Sequence, residues 1–321
     1  MNHFKDKRVV VTGAGGSIGS ELCRRIIAQR PDALILVSLT EGSLYNSMKQ
    51  LSRIANGVEL VPVLGSVADS RVIESALSGS DIVIHAGAHK HVPLCESNVI
   101  EAVNNNVFGT ECLLNAVEDS AVQQVVFVST DKAVRPTSVM GATKRACELL
   151  MWSAGFRNPD KDYLIVRFGN VLDSAGSVLP LWREQIAAGG PLTLTDKRCT
   201  RYFMSIPEAC ELITGVAEMR PEGGTFVFDM GEPRSMYQLA QQLIVNAATP
   251  CEIVETGLRP GEKLEEELDY GGERVATPNA KVFRIVEPLI KFDHGQYARL
   301  KQAVDQGFES RVREALMEFV Q

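Results

Sequence analysis

Histidine is scarce in this chain, cysteine is scattered, and long apolar runs are missing. There are five histidines and seven cysteines in 321 residues. The cysteines stand at 23, 95, 112, 147, 199, 210 and 251, an odd number with no C-x-x-C pair. That spacing excludes both a zinc site and a disulfide framework, so they read as reduced core or helix residues. His89-Lys90-His91 offers two imidazoles without a third histidine or a suitably spaced cysteine, and no metal is expected. No stretch reaches ~18 uninterrupted apolar residues, the length a spanning helix needs. Residues 1–6 carry charge with no apolar run behind it, so no signal peptide is read there and a cytoplasmic location is expected. Positive charge is not in excess: 33 Lys and Arg against 40 Asp and Glu leave a net charge of −7. Nothing in that balance favours a nucleic-acid partner.

What remains is a chain rich enough in apolar residues, 45%, for one large domain or two modest ones. The first half alternates Val/Ile-rich strands with amphipathic helices. Strands are expected at 8–12, 34–39, 58–64, 81–86, 122–129 and 163–168. Helices are expected at 20–29 and 42–55, with a long one over 99–118 and another opening at 140–144. Unbroken apolar strands between helices mean a parallel sheet covered on both faces. The fold class is therefore α/β: a Rossmann-type doubly wound parallel sheet with a smaller C-terminal substrate lobe. After Gly169-Asn170 the pattern becomes punctuated by glycine and proline. Residues 1–172 are assigned to the dinucleotide-binding domain, with 200–231 returning to it through a strand near 225–230. Residues 173–199 and 232–321 are assigned to the substrate-binding lobe.

Thr12-Gly13-Ala14-Gly15-Gly16-Ser17-Ile18-Gly19 lies between a strand and a helix. Such a turn lets the backbone approach a pyrophosphate, which the helix N-terminus then stabilises. Gly13, Gly16, Ser17, Ile18 and Gly19 are the candidate contacts. The tip of the second strand selects between NAD and NADP. Here it reads Ser38-Leu39-Thr40-Glu41. Glu41 favours NAD through the ribose hydroxyls, while Ser38 and Thr40 could bond a phosphate, and Glu41 is equally readable as the acidic first turn of a helix. The cofactor is NAD or NADP, leaning to NAD. Ser66 and Val67 follow the third strand, where an adenine edge could rest. Ala86 ends the fourth strand, Gly87 permits close approach, and Lys90 points its charge at the same crevice unless it is simply a solvated loop residue.

Ser129-Thr130-Asp131-Lys132 followed by Met140-Gly141-Ala142-Thr143-Lys144 resembles the catalytic strip of a short-chain dehydrogenase/reductase that has lost its tyrosine. Met140 stands where Tyr-x-x-x-Lys would begin, and a thioether cannot give or take a proton. Met140 and Lys144 share one helix face, from which Lys144 can reach a nicotinamide ribose. Arg259-Pro260-Gly261-Glu262-Lys263 reads either as a diphosphate contact or as a charged Pro-Gly turn.

Together these residues resemble the UDP-N-acetylglucosamine 4,6-dehydratases of bacterial polysaccharide and protein glycosylation. The resemblance is carried along nearly the whole chain. Its carriers are the glycine turn, Lys90-His91-Val92-Pro93, the Thr-Asp-Lys strip, Arg167 to Val171, Gly176-Ser177-Val178, Thr200-Arg201-Tyr202-Phe203 and residues 257–264. The Met variant is similar to a branch whose members often carry membrane helices ahead of the catalytic domain. This chain has none, which reads as a soluble form or a catalytic fragment. The strand-two tip lacks the usual Asp, and Ser66 stands where an Asp commonly meets adenine.

The resemblance implies a UDP-sugar substrate, a tightly held and recycled cofactor, and a homo-oligomer. It implies that Asn170 and Arg259 hold the diphosphate, with Ser177, Val178, Glu262, Arg201 and Lys90 on the substrate side. Lys132 is the candidate base at sugar C5, a role that requires a depressed pKa. Asp131 is the candidate acid for the C6 hydroxyl, which requires a raised one. Thr130 orients the C4 hydroxyl, and Lys144 holds the nicotinamide ribose. Two rival readings remain. One is a nucleotide-sugar epimerase on the same scaffold; the other is a non-catalytic NAD(P)-binding regulator, favoured only by Met140.

Overall fold

The computed structural model describes residues 3–219, 223–247, 250–287 and 292–321. The first half is built as the alternation demands. Strands β1 (Arg8–Thr12), β2 (Ala33–Ser38), β3 (Glu59–Leu64), β4 (Ile82–His85), β5 (Gln124–Val128) and β6 (Asp162–Arg167) run parallel. Between the first four lie α1 (Ser17–Ala28), α2 (Glu41–Leu51) and α3 (Ser70–Leu77). After β4 come α4 (Val92–Ser97), α5 (Val99–Ala102), a π-helical turn (Val103–Phe108) and α6 (Gly109–Glu118). The single long helix expected over 99–118 is therefore interrupted by this turn, where Asn106 bends inward to bond the backbone of His89. α3 has no counterpart in the sequence reading.

α7 (Val139–Arg157) follows β5 and a 3-10 turn (Asp131–Ala133). Every residue from Val139 to Met151 is buried. A helix buried all round must be covered on every side, and the C-terminus supplies that cover. α11 (His294–Gln306) and α12 (Glu309–Phe319) place Tyr297, Leu300, Val312, Leu316 and Phe319 in the same core as α7.

The remaining chain forms the small lobe and then returns. β7 (Asn170–Val171), α8 (Val178–Ala187), β8 (Leu192–Leu194), β9 (Thr200–Arg201) and β10 (Phe203–Met204) precede α9 (Ile206–Glu218) and β11 (Gly224–Phe228). β12 (Arg234–Ser235), α10 (Met236–Ala247), β13 (Ile253–Glu255), β14 (Glu273–Ala276) and β15 (Val282–Val286) follow. Among the described residues the main sheet runs β14-β15-β11-β6-β5-β4-β1-β2-β3. A separate small core of Leu179, Trp182, Ile186, Leu192, Leu194, Met236 and Ala240 defines the lobe. Residues 273–286 and 294–319, expected in that lobe, instead extend the sheet antiparallel and pack on α7. The reason is burial: β11 would otherwise be a bare edge and α7 a half-exposed apolar helix. No described helix is long and apolar enough to cross a membrane.

Candidate functional site

The strand order reverses between β1 and β4, and at such a switch point the carboxyl ends of the strands open a crevice. Here the crevice is a cleft of about 770 Å³. Its floor depends on missing side chains. Gly13 has φ +68°, and a Cβ on it would sit 2.7 Å from the Cα of Gly87. A Cβ on Gly19 would lie 2.1 Å from the Gly13 carbonyl. Glycine at these points brings β1, β4 and the start of α1 close enough to present backbone N–H groups to a phosphate. These clearances fit a pyrophosphate-bridged dinucleotide.

Gly13, Gly16, Ser17, Ile18, Gly19, Ser38, Thr40, Val67, Ala86 and Lys90 all line this cleft. Glu41 and Ser66 do not. Glu41 is exposed in the first turn of α2, where the helix dipole favours an acid. The Ser66 hydroxyl accepts from the Ala68 amide at 3.1 Å and so caps its own turn. The strand-two tip instead offers hydroxyls: Ser38 and Ser43 lie 3.1 Å apart, and Thr40 is 2.5 Å from Ser43.

Under the floor a neutral hydrogen-bond chain fixes β4. The Gly87 amide donates to the Thr12 hydroxyl at 3.1 Å, and that oxygen lies 2.6 Å from His85 Nδ1. His85 Nε2 is 3.1 Å from the Thr110 hydroxyl, which donates to the Asn106 carbonyl at 2.6 Å. Thr110 spends its proton on the carbonyl, so His85 carries its proton on Nε2 and accepts from Thr12 on Nδ1. Burial, with the Lys144 charge nearby, pushes His85 down to about 3. Nothing in the sequence reading singled out His85.

The strip from Ser129 to Lys132 lies at the cleft's other wall. Thr130 ends the extended segment after β5 and donates to Asp131 Oδ1 at 2.8 Å. Lys132 Nζ donates to the same oxygen at 3.0 Å and to Asn170 Oδ1 at 2.9 Å. α7 starts against this strip because residue 141 is glycine: a Cβ there would meet the Lys132 carbonyl at 2.2 Å. Ser138 caps the helix by accepting from the Gly141 amide at 3.1 Å. Met140 is buried and lines the cleft. Lys144, one turn further on, also lines it, and its Nζ sits 4.1 Å over the Phe127 ring. Burial lowers the Lys144 ammonium to about 8.

A second cavity of about 240 Å³ joins the first, with Lys90, His91, Lys132, Asn170 and Val178 in both walls. Its lining carries Lys90, Lys132, Arg201, Arg259 and Lys263 against only Glu262 and Glu266. Five cations facing two carboxylates suit an anionic ligand. Ser177 lies on the cleft side, its buried hydroxyl without a partner among the described residues. Arg201 donates to its neighbour Thr200 O at 2.7 Å and to the 262–264 loop, at Leu264 O (2.9 Å), Lys263 O (2.7 Å) and Glu262 Oε1 (3.3 Å). Arg259 is exposed and Glu262 accepts from its amide at 3.3 Å.

Two placements differ from the roles read in the sequence. Asp131, the expected acid, is fully buried and lines neither cavity. Glu266, which the sequence reading passed over in a run of three glutamates, lines the second cavity 3.9 Å from Lys132. Only the surrounding pocket distinguishes it from Glu265 and Glu267, which are exposed.

A profile of the family described as "Polysaccharide biosynthesis protein" matches residues 9–287. The Staphylococcus aureus capsular polysaccharide biosynthesis protein CapD is 44% identical over 82% of this chain and 45% of its own length. The chain thus spans about half of that relative. The Rickettsia massiliae protein named UDP-glucose 4-epimerase is 36% identical over 83% of the chain and 78% of its own length. Among solved structures, Pen from Bacillus thuringiensis superposes with a TM-score of 0.84 at 32% identity, over 90% of this chain and 92% of that one.

Proposed function

Because the chain belongs to the polysaccharide biosynthesis protein family, we propose that it is an NAD(P)-dependent nucleotide-sugar 4,6-dehydratase whose substrate is UDP-N-acetylglucosamine. The observation that carries this reading is Lys132. It stands where the dinucleotide cleft meets the cation-rich cavity, bonded to Asp131 and Asn170. A sugar there would lie between a hydride acceptor on one side and a basic group on the other.

Bound in the cleft, the nicotinamide would accept a hydride from sugar C4 and return it at C6. Everything else falls to the protein. Thr130 orients the C4 hydroxyl. Lys132 takes the C5 proton once a C4 ketone has acidified it. Asp131 holds Thr130 and Lys132 with one oxygen and so fixes the angle between them. Lys144 binds the nicotinamide ribose and lends its charge to the oxidation. Met140 fills the place of a tyrosine and excludes water without exchanging a proton. The cations of the second cavity would neutralise a diphosphate, with Asn170, Arg201 and Arg259 nearest to it and Glu262 bracing the loop.

At the ribose end of the cleft Glu41 is outside the wall, and three hydroxyls stand in its place. These bond a ribose diol or a phosphate equally well, so both cofactors belong in the test. Purified protein is incubated with UDP-N-acetylglucosamine and NAD or NADP in separate tubes and read by mass spectrometry. Loss of one water supports the dehydratase. An unchanged mass with a new isomer by NMR supports the second reading, a 4-epimerase, which the named activity of the Rickettsia relative favours. No change in any tube rejects both.

A further inference from the structure

We propose that Glu266 is a catalytic residue: it stores the proton that the reaction takes from the C4 hydroxyl and delivers it to the departing C6 hydroxyl. The inference rests on the dehydratase reading above and assigns a role that Asp131 is badly placed to fill. Asp131 lines neither cavity, and its Oδ1 is held by Thr130 and Lys132. Glu266 lines the cation-rich cavity with its side chain only 4% exposed. Its Oε2 is buried with no partner among the described residues. A buried carboxyl oxygen left unpaired on the wall of a ligand cavity is a group waiting for a bond from the ligand.

The charged groups around Glu266 are Lys132, Asp131, Arg201 and Lys263. Burial raises the Glu266 carboxyl and Asp131 adds to the rise, against the pull of Lys132, Arg201 and Lys263. Its Oε1 lies 3.9 Å from Lys132 Nζ, close enough for a proton to pass with a small side-chain movement. The cycle opens with the pair as amine and carboxylate; once it holds the C4 hydroxyl proton it exists either as ammonium and carboxylate or as amine and carboxylic acid. The second form is the competent one, since it supplies a base and an acid at once.

The protons balance. Oxidation at C4 breaks the C4–H and O–H bonds; a bound nicotinamide would take the hydride, and the hydroxyl proton passes by way of Lys132 to the Glu266 carboxylate. The Lys132 amine then takes the C5 proton, and the C5–H electron pair forms the C5–C6 double bond. The C6–O bond breaks, its oxygen takes the Glu266 proton, and water leaves. The hydride returns to C6 and the Lys132 ammonium returns its proton to C5. The proton lost by the C4 hydroxyl is thus the one found in the water.

The test uses the full chain with E266Q and E266D, on UDP-N-acetylglucosamine and on its 6-deoxy-6-fluoro analogue. Fluoride needs far less help from an acid than hydroxide does. With the natural substrate, kcat for E266Q is expected to fall about 10²-fold or more with KM little changed, the usual weight of a general acid. E266D recovers part of the rate. With the fluoro analogue, E266Q is expected to stay within about tenfold of the wild type, as the acid is no longer needed. Equal loss on both substrates, or E266Q near wild-type rate on the natural one, overturns the proposal and leaves the dehydratase reading standing. A wild-type enzyme that releases neither water nor fluoride overturns both.

Discussion

Ser129 and Thr130 are neighbours in sequence, yet they anchor two buried charge clusters of opposite character. Ser129 donates to Glu148 at 2.6 Å. Glu148 Oε1 also accepts from Arg167 Nε at 2.7 Å, and its Oε2 accepts from Arg167 at 2.6 Å and Arg145 at 2.8 Å. Arg167 and Arg145 reach on to Glu287. The side chains of these four charged residues are all 0–1% exposed. Both carboxylates are saturated, and the Tyr270 ring lies 4.9 Å from the Arg145 guanidinium and 5.8 Å from that of Arg167. Thr130 belongs to the other cluster, with Asp131, Lys132 and Glu266. There Asp131 Oδ2 and Glu266 Oε2 are buried with no partner among the described residues. The first network leaves only donors spare, Arg145 Nε and Nη2; with every carboxylate oxygen in it bonded, it holds β6, α7 and β15 in register. A network with spare acceptors can exchange protons.

The largest effects are expected from removing the hinge between the clusters' roles. Lys132→Ala should lower turnover by about 10²–10⁴-fold, the weight of a general base, with the dinucleotide still bound and the melting temperature little changed. Asp131→Asn should lower turnover in the same direction, since an amide holds the ammonium less firmly. Near-normal rates in either variant would remove the strip from the chemistry. Arg167→Met should act the opposite way, on folding before activity. It strands two buried carboxylates and should cost about 3–5 kcal/mol in urea unfolding; a loss under about 1 kcal/mol would show that the cluster is not a buried unit.

Two pH profiles separate the clusters further. Burial works to raise Glu148, but Arg167 with Arg145 outweighs it and holds the carboxyl at about 2, below its usual 4.5. The stability it contributes is therefore present above about pH 4.5 and lost as pH falls toward about 2. Glu148→Gln should flatten that part of the acid unfolding curve. Lys144, lowered to about 8 by burial, loses its charge above that pH, so kcat/KM should fall on the alkaline side with an inflection near 8. Lys144→Arg should move that limb beyond reach. The smallest effect is expected at Met140. Met140→Leu keeps the volume and should cost less than about 1.5 kcal/mol, with activity close to wild type. A large loss would mean that the thioether does more than fill space.

The sheet and the cleft floor were legible because their signals are local. Val9 to Val11, the glycine turn and Leu34 to Val37 each state their backbone geometry within a few residues. The Thr130-to-Lys144 strip was legible for the same reason, since its parts lie within one strand end and one helix. Glu266, His85 and the Arg145–Glu148–Arg167–Glu287 cluster were not. Their roles arise from contacts distant in sequence, 73 positions between His85 and Thr12 and 142 between Arg145 and Glu287, and no spacing rule reports those. The two C-terminal helices were misplaced because their apolar stripes say that they are covered, not by what.

The sequence by itself determined the α/β alternation, the glycine turn between β1 and α1 and the chemical inventory of the strip, because φ/ψ preference, periodicity and hydrogen-bonding capacity belong to single residues and short spans. Tertiary structure alone decided which carboxylates are saturated and which are left free. That depends on how much water is excluded and which charges the fold brings within a few ångströms, and both are properties of the packed chain.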